Sequence, residues 1–355
     1  MIVASPAGTR LTNTCSHLGA TTAAVITVAV VLVDRPALRD CFHVVAETAE
    51  VVDRPVAVHL LGEPIVLWRD PDGAVVAAPD RCPHRQAPLS LGAVTAGRLA
   101  CCYHGWTFGA AGRCVLVPSA GEGRPVPPAA HLEVFETIER FGLVWVCPGR
   151  PRYPPPELAV DRDPAYRRIN TGVQTWRASA LRMTDNFLDI AHFPYVHTGT
   201  FGIGEQTLVP PIELGPLEDG FHGYAYEVDA ANDAGAAASG EAGAVVHRRM
   251  TTGFHLPFTV RSTIHYAGGL DHVILLCSTP VDDAVSYFTF VVWRNDDHAV
   301  PAEDVVAFDR AIGEEDRRML ERVPGTLPLD IRSTANVQAD RASVEWRRRL
   351  AELLG

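Results

Sequence analysis

The sequence predicts an α+β fold in two parts, an all-β N-terminal part and a mixed C-terminal part. Two observations carry this. Short strand-like runs broken by turn residues fill residues 39–146, and strands followed by a helix fill the region beyond 179. A Pro-rich stretch, 148–156, separates the two and reads as a linker. The chain has 355 residues, 47% hydrophobic and 21% charged, a globular composition that suits one large domain or two ordinary ones.

Taken in order, residues 21–33 form an apolar run. It is shorter than the roughly 20 residues that span a bilayer. Only Arg10 precedes it and no A-x-A cleavage site follows, so residues 1–37 read as an extension without ordered structure. Residues 56–61, 65–69 and 75–78 are strand-like, and Asp72-Gly73 marks a hairpin between the last two. Leu143–Cys147 is a further strand. These elements give a first domain over 38–150 and a second over 151–355. In the second, a helix is expected over 179–196 and the low-complexity stretch 230–244 reads as a mobile loop. Strands follow at 258–266, 272–281 and 286–294, with Asp282-Asp283 as a turn. A final helix covers 302–323, with an apolar stripe of Val305, Phe308, Ile312, Met319, Leu320 and Val323.

Composition closes several function classes. A net charge of −11 argues against a nucleic-acid partner, which needs clustered positive charge. The sequence has no lysine, so lysine Schiff-base chemistry and a lysine-bearing P-loop are excluded. There is no G-x-S-x-G elbow and no G-x-G-x-x-G fingerprint. Eight cysteines in a chain this long read as reduced thiols or metal ligands, which favours the cytoplasm.

Two segments carry chemistry. Cys82-Pro-His84 is followed, after sixteen intervening residues, by Cys101-Cys-Tyr-His104. A zinc finger takes like ligands from one loop, whereas each loop here offers one thiolate and one imidazole. In a Rieske centre two cysteines hold one iron and two histidines the other, and the mixed loops fit that division. Further on, 184–202 reads TDNFLDIAHFPYVHTGTFG and holds Asn186, Asp189, His192 and His197. Oxygen-activating iron(II) is held by two histidines and one carboxylate on one face. Pro194 lies between the histidines and is expected to kink the helix. For the carboxylate, the last helix offers Asp309, Glu315 and Asp316. Asp316 lies within the apolar stripe and Glu315 reads as a solvated helix charge. Periodicity does not reject Asp309, which shares the face of Asp316.

Residues 81–108 (RCPHRQAPLSLGAVTAGRLACCYHGWTF) resemble the Rieske domain of ring-hydroxylating oxygenases, and D-x-x-H-x-x-x-x-H resembles the mononuclear iron motif of the same family. Two departures show: Cys102 stands where the family usually has proline, and Gln86 where it usually has glycine. The resemblance covers about residues 38–350 and looks most like the single-subunit branch of vanillate and dicamba O-demethylases and ketosteroid hydroxylases. It implies an all-β Rieske domain followed by a helix-grip (START-like) catalytic domain. It implies a [2Fe-2S] cluster on Cys82, His84, Cys101 and His104, and iron(II) on His192, His197 and Asp316. Glu315-Asp316 looks like the Glu-Asp pair of that branch, whose aspartate binds iron. Asn186 and Asp189 join the catalytic machinery, Asp189 as the bridge from an iron-bound histidine to a Rieske histidine of the next subunit. That bridge implies a head-to-tail homotrimer.

The implied activity is monooxygenation, as hydroxylation or O/N-demethylation, using O₂ and electrons from NAD(P)H through a separate reductase or ferredoxin. The substrate is expected to be a small aromatic or polycyclic molecule. Phe193, Tyr195, Phe201, Phe254, Phe258, Phe288, Phe290 and Trp293 are candidates for an apolar pocket, and Arg249 or Arg261 for a clamp on a substrate carboxylate. The competing readings are a cluster-only electron carrier, which needs no second metal, and a zinc-stabilised binding module.

Overall fold

The computed structural model describes residues 30–121, 124–241, 243–296 and 298–355. The N-terminal part is built from three small antiparallel sheets. His43–Glu47 pairs with Leu143–Cys147, which pairs in turn with Glu136–Arg140. Val56–Leu60, Glu63–Arg69 and Val75–Pro79 form a meander, the last two joined by the expected turn, where Gly73 takes a φ of 85°. The third sheet, Ala93–Thr95, Arg98–Ala100, Thr107–Phe108 and Cys114–Leu116, carries the second Cys/His loop between its middle strands.

The C-terminal part is one antiparallel sheet. In spatial order it runs Arg167–Asn170, Ser286–Arg294, Asp271–Pro280, Thr259–Tyr266, Val245–His255, His222–Ala231 and Gly215–Pro216, with Gln174–Trp176 also paired to Ser286–Arg294. Side chains alternate between faces along a strand. Val273, Leu275, Val291 and Trp293 point one way, into a core shared with Phe42, Val44, Leu143 and Trp145 of the N-terminal part. Met250, Ile264, Ile274, Leu276, Phe288 and Phe290 point the other way and wall a cavity. The Ala302–Leu320 helix closes that cavity with Phe308, Asp309, Ile312, Gly313 and Asp316. No described helix is long and apolar enough to cross a membrane.

Five sequence expectations change. Residues 30–37 are packed: Leu32 is fully buried, its N–H bonds to Asp283, and a helix begins at Pro36. The rest of the expected extension, 1–29, lies outside the described residues. The helix expected over 179–196 is two pieces, Ala180–Phe187 and Phe193–Val196. The described residues of 230–244 have regular structure: a short helix, Ala236–Ser239, packs on the Ala302–Leu320 helix, Asn232 is buried and Arg294 Nη2 donates to the Ala238 carbonyl at 2.6 Å. The long helix exposes Met319 and buries Asp309 and Gly313 in its stripe. It is not the last helix either, because Arg341–Leu354 follows and buries Trp346 and Leu350. That helix also packs against Ala180–Phe187.

Candidate metal centres

The two Cys/His loops have one geometry. In the first, Cys82 N donates to the Ala87 carbonyl at 2.9 Å and Gln86 N to the Cys82 carbonyl at 2.8 Å. In the second, Cys101 N donates to the Trp106 carbonyl at 2.9 Å and Gly105 N to the Cys101 carbonyl at 3.0 Å. The residue four after each cysteine takes a left-handed backbone, Gln86 at φ 59° and Gly105 at φ 70°. Two such turns facing each other bring both thiols inside and both imidazoles to the rim. Cys82 and Cys101 are buried, while the His84 and His104 rings lie 4.5 Å apart between centroids. Trp106 stacks on His84 at 4.4 Å with a 4° interplanar angle and fixes that ring. Burial pushes the Cys82 thiol up to about 11, and the adjacent Cys101 adds to the rise. Two crowded, buried thiols become thiolates when a cation sits between them, and the paired loops fit a cluster held by two thiolates inside and two imidazoles outside. Cys102 is exposed and points away from this interior. All seven described cysteines are free.

The second centre begins at Ser179, whose hydroxyl accepts the Leu181 N–H and starts the Ala180–Phe187 helix. Past Phe187 the helical ladder fails. Pro194 has no N–H for the Ile190 carbonyl, which instead accepts from Phe193 at 3.3 Å. Asp189 bonds the Ala191 and His192 N–H groups at 3.0 and 3.1 Å and so caps the next turn. The break matters because residues five apart on an ideal helix point about 140° away from each other. Here His192 Nε2 and His197 Nε2 lie 3.1 Å apart, and Asp316 Oδ1 lies 3.4 and 3.3 Å from them.

The donor chemistry of this triangle suits a cation. His192 Nδ1 faces Asp189 Oδ2 at 2.8 Å and His197 Nδ1 faces Glu315 Oε2 at 3.0 Å. Each Nδ1 therefore carries a proton, and each Nε2 presents a lone pair toward the other and toward a carboxylate oxygen. Bonds of about 2.1 Å at 90–110° place ligand atoms about 3.0–3.4 Å apart, which is the triangle found here. In the absence of a metal, positive charge is still drawn in. Burial disfavours the His192 imidazolium, yet the bond to Asp189 and the Asp316 carboxylate outweigh it and raise His192 to about 9.

Of the other predicted residues, some lie at the triangle or its cavity and others do not. Asn186 Nδ2 donates to Asp316 Oδ1 at 2.9 Å, so it orients the carboxylate. Glu315 is not a solvated helix charge. It accepts from His197 Nδ1, from Thr200 Oγ1 at 2.7 Å and from Gly199 N at 2.9 Å. A Cβ on Gly199 would lie 2.7 Å from Glu315 Oε1, so a side chain there would push the carboxylate from its present position. Asp309 is buried in the cavity wall, where its Oδ2 lies 3.2 Å from His272 Nε2 and away from the triangle. Of the candidate aromatics, Phe193, Phe201, Phe288 and Phe290 line the cavity. Phe254, Phe258 and Trp293 are core, and Tyr195 is exposed. Neither candidate arginine reaches the cavity: Arg249 is exposed and Arg261 pairs with Asp219 at 2.9 Å. Sequence reasoning missed Arg248, which does line it.

Residues 41–136 match the Rieske [2Fe-2S] domain family, and residues 176–355 match the vanillate O-demethylase oxygenase C-terminal domain family. The chain is 30% identical to methylxanthine N1-demethylase NdmA of Pseudomonas putida over 90% of each chain. It is 37% identical to the oxygenase component of dicamba O-demethylase of Stenotrophomonas maltophilia over 45% of this chain and 48% of that one. Its structure superposes on P. putida CBB5 NdmA with caffeine at a TM-score of 0.79, with 28% identity, covering 90% of this chain and 91% of that one. Paired Cys/His turns ahead of a two-histidine, one-carboxylate triangle, in a chain similar to NdmA along nearly its whole length, make it a member of the Rieske non-haem iron oxygenases, oxidoreductases that carry a [2Fe-2S] cluster and a mononuclear iron.

Proposed function

We propose that His192, His197 and Asp316 hold the mononuclear iron, that Cys82, Cys101, His84 and His104 hold the cluster, and that the cavity beside the triangle receives the substrate. The observation that carries this is the convergence of three lone-pair atoms at 3.1–3.4 Å on the rim of an apolar cavity. When bound, the cluster supplies electrons and the iron supplies O₂ activation. The chain's residues do the rest. Asp189 and Glu315 hold both imidazoles in the tautomer that offers Nε2, and Asn186 fixes the Asp316 carboxylate. Phe193, Phe288, Phe290, Ile274 and Leu276 exclude water around the substrate.

The reaction is a monooxygenation ending in demethylation of an O- or N-methyl group. One oxygen atom enters the methyl carbon, the other leaves as water, and two electrons and two protons are consumed. The hydroxymethyl product then loses formaldehyde. The relatives named above act on methylxanthines and on dicamba. The cavity here holds ≈ 120 Å³, against about 150 Å³ for a protein cavity that takes up benzene, so it suits a single ring better than a polycycle.

Asp189 keeps a quarter of its side chain exposed while bonded to His192, leaving an edge open to a neighbouring chain's histidine. A bridge between subunits, a head-to-tail trimer, a separate NAD(P)H-dependent reductase or ferredoxin and a cytoplasmic setting follow from this reading. Domain limits of 38–150 and 151–355 follow too. A mass of three chains in solution is expected; a stable monomer contradicts the bridge. His192→Ala is expected to abolish formaldehyde release while leaving the cluster's visible spectrum, and Cys82→Ala to remove that spectrum. Product formation by His192→Ala overturns the assignment of the iron site. A carrier that uses only the cluster would need no such triangle.

A further inference from the structure

The cavity contains a second feature, which deepens the reading of its substrate and rests on that reading. Arg248 lies on the Val245–His255 strand in the row that faces the cavity, and only 2% of it is exposed. Its guanidinium is flanked by two rings, with the Phe201 centroid 5.5 Å and the Tyr266 centroid 5.3 Å away. Rings cover the faces of a guanidinium, but its N–H groups project in its plane. Arg248 Nε and Nη2 are buried and have no hydrogen-bond partner among the described residues, and no described carboxylate pairs with this arginine.

Nε and Nη2 form the edge of an arginine that grips an oxyanion with two parallel bonds. The protein itself shows the filled version: Arg167 Nε and Nη2 donate to the two Asp296 oxygens at 2.7 and 2.7 Å. Arg248 offers the same edge without an acid opposite it. The other arginines near this wall already have partners. Arg294 donates to Asp296 and, through Nη1, to His272 Nδ1, while His272 Nε2 lies 3.2 Å from Asp309 Oδ2 without a hydrogen bond between them. Arg167 and Arg294 thus share Asp296, and Arg294 also meets His272. Arg248 remains as a buried cation whose Nε and Nη2 meet no described acceptor. Contact with two aromatic faces offsets only part of the cost of burying an unpaired charge.

We infer that Arg248 is the anion receptor of the substrate cavity and that the substrate is a monocyclic aromatic oxyanion, a carboxylate or a sulfonate, gripped through Nε and Nη2. Phe201 lies between this arginine and the site proposed for iron, stacked on His197 with centroids 4.7 Å apart. An acid group on Arg248 thus fixes one end of the ring and leaves the substituents at its other end for oxidation. Selectivity follows from the asymmetry of a buried charge. A neutral ring leaves the guanidinium unpaired, so the cavity discriminates against it.

The test uses the holoenzyme with benzoate, benzenesulfonate and the neutral isostere benzamide, read by calorimetry and by thermal unfolding. Wild-type protein is expected to bind the two anions about 10- to 100-fold more tightly than benzamide, and to unfold at higher temperature with the anions alone. Arg248→Met is expected to lose that preference. Without any ligand it is expected to unfold no earlier than wild type, since removing an unpaired buried charge is neutral or stabilising. An arginine that merely supports the fold would behave the other way. Equal binding of benzamide and benzoate by wild type overturns the inference. So does a variant that keeps the anion preference, absence of any anion binding, or a ligand-free Arg248→Met that unfolds several degrees early. Iron content and the cluster spectrum are measured on the same samples. Their loss would count against the proposed centres, and their retention with no anion preference would count against Arg248 alone.

Discussion

Gln86 and Gly105 occupy the same place in two copies of one turn, and only one of them is a glycine. Both sit in the left-handed region, at φ 59° and 70°. A side chain there costs about 1 kcal/mol or more, because Cβ crowds the following carbonyl. The Gln86 side chain is exposed and makes no described hydrogen bond. Gln86→Gly is therefore expected to raise stability by about 0.5–1 kcal/mol in a denaturant titration without altering the visible spectrum. A destabilised variant would mean that the glutamine makes contacts that outweigh its strain. Glu315 teaches a different lesson about residues. Its sequence neighbours suggest a solvated charge, but its partner His197 is 118 positions away. Glu315→Ala is expected to weaken iron binding about 10–100-fold, with Glu315→Gln recovering part of it, because an amide oxygen still accepts the Nδ1 proton. Unchanged iron affinity in Glu315→Ala would contradict its role in orienting His197. The four Cys/His positions were legible because their spacing lies within two short loops. Arg248 was not, since neighbouring Arg249 points to the opposite face and only strand register separates them.

Elements with local signals were read well and those defined by packing were not. The meander over 56–79 and the turn at Asp72-Gly73 announce themselves through composition and alternation. The strands His222–Ala231 and Val245–His255 flank the stretch that reads as low-complexity, and they went unread together with the Arg341–Leu354 helix. Helix breaking was anticipated from Pro194, yet the break begins at Leu188, six residues earlier in the chain, where Asp189 captures the next turn's N–H groups. The last helix is a support for the site. Trp346 is fully buried and its Nε1 donates to the Pro257 carbonyl at 2.9 Å, while Arg347 bonds Thr334 and Asn336 at 3.0 and 2.6 Å. Because this helix packs on Ala180–Phe187, which carries Asn186, Trp346→Ala is expected to cost about 3–5 kcal/mol of stability. It is also expected to loosen iron at the second centre before the cluster is lost. Loss of the cluster first, followed by differential iron and sulfide analysis on heating, would place the weakness in the N-terminal part instead.

Across the whole molecule, one sheet does two jobs. Its Val273, Leu275, Val291 and Trp293 face binds the N-terminal part through Phe42, Val44 and Trp145, and its other face walls the substrate cavity. The strand period of two makes this division possible, and it couples the stability of the two parts through a shared core. The central claim is that this chain carries two distinct iron centres, one on mixed Cys/His loops and one on the His192, His197 and Asp316 triangle. The most direct test is metal and acid-labile sulfide analysis of protein purified without oxygen, on wild type and His192→Ala in parallel. The account predicts about three irons and about two sulfides per chain in wild type, and loss of about one iron with both sulfides retained in His192→Ala. Stoichiometric zinc without sulfide, or an iron count that His192→Ala leaves unchanged, would contradict it.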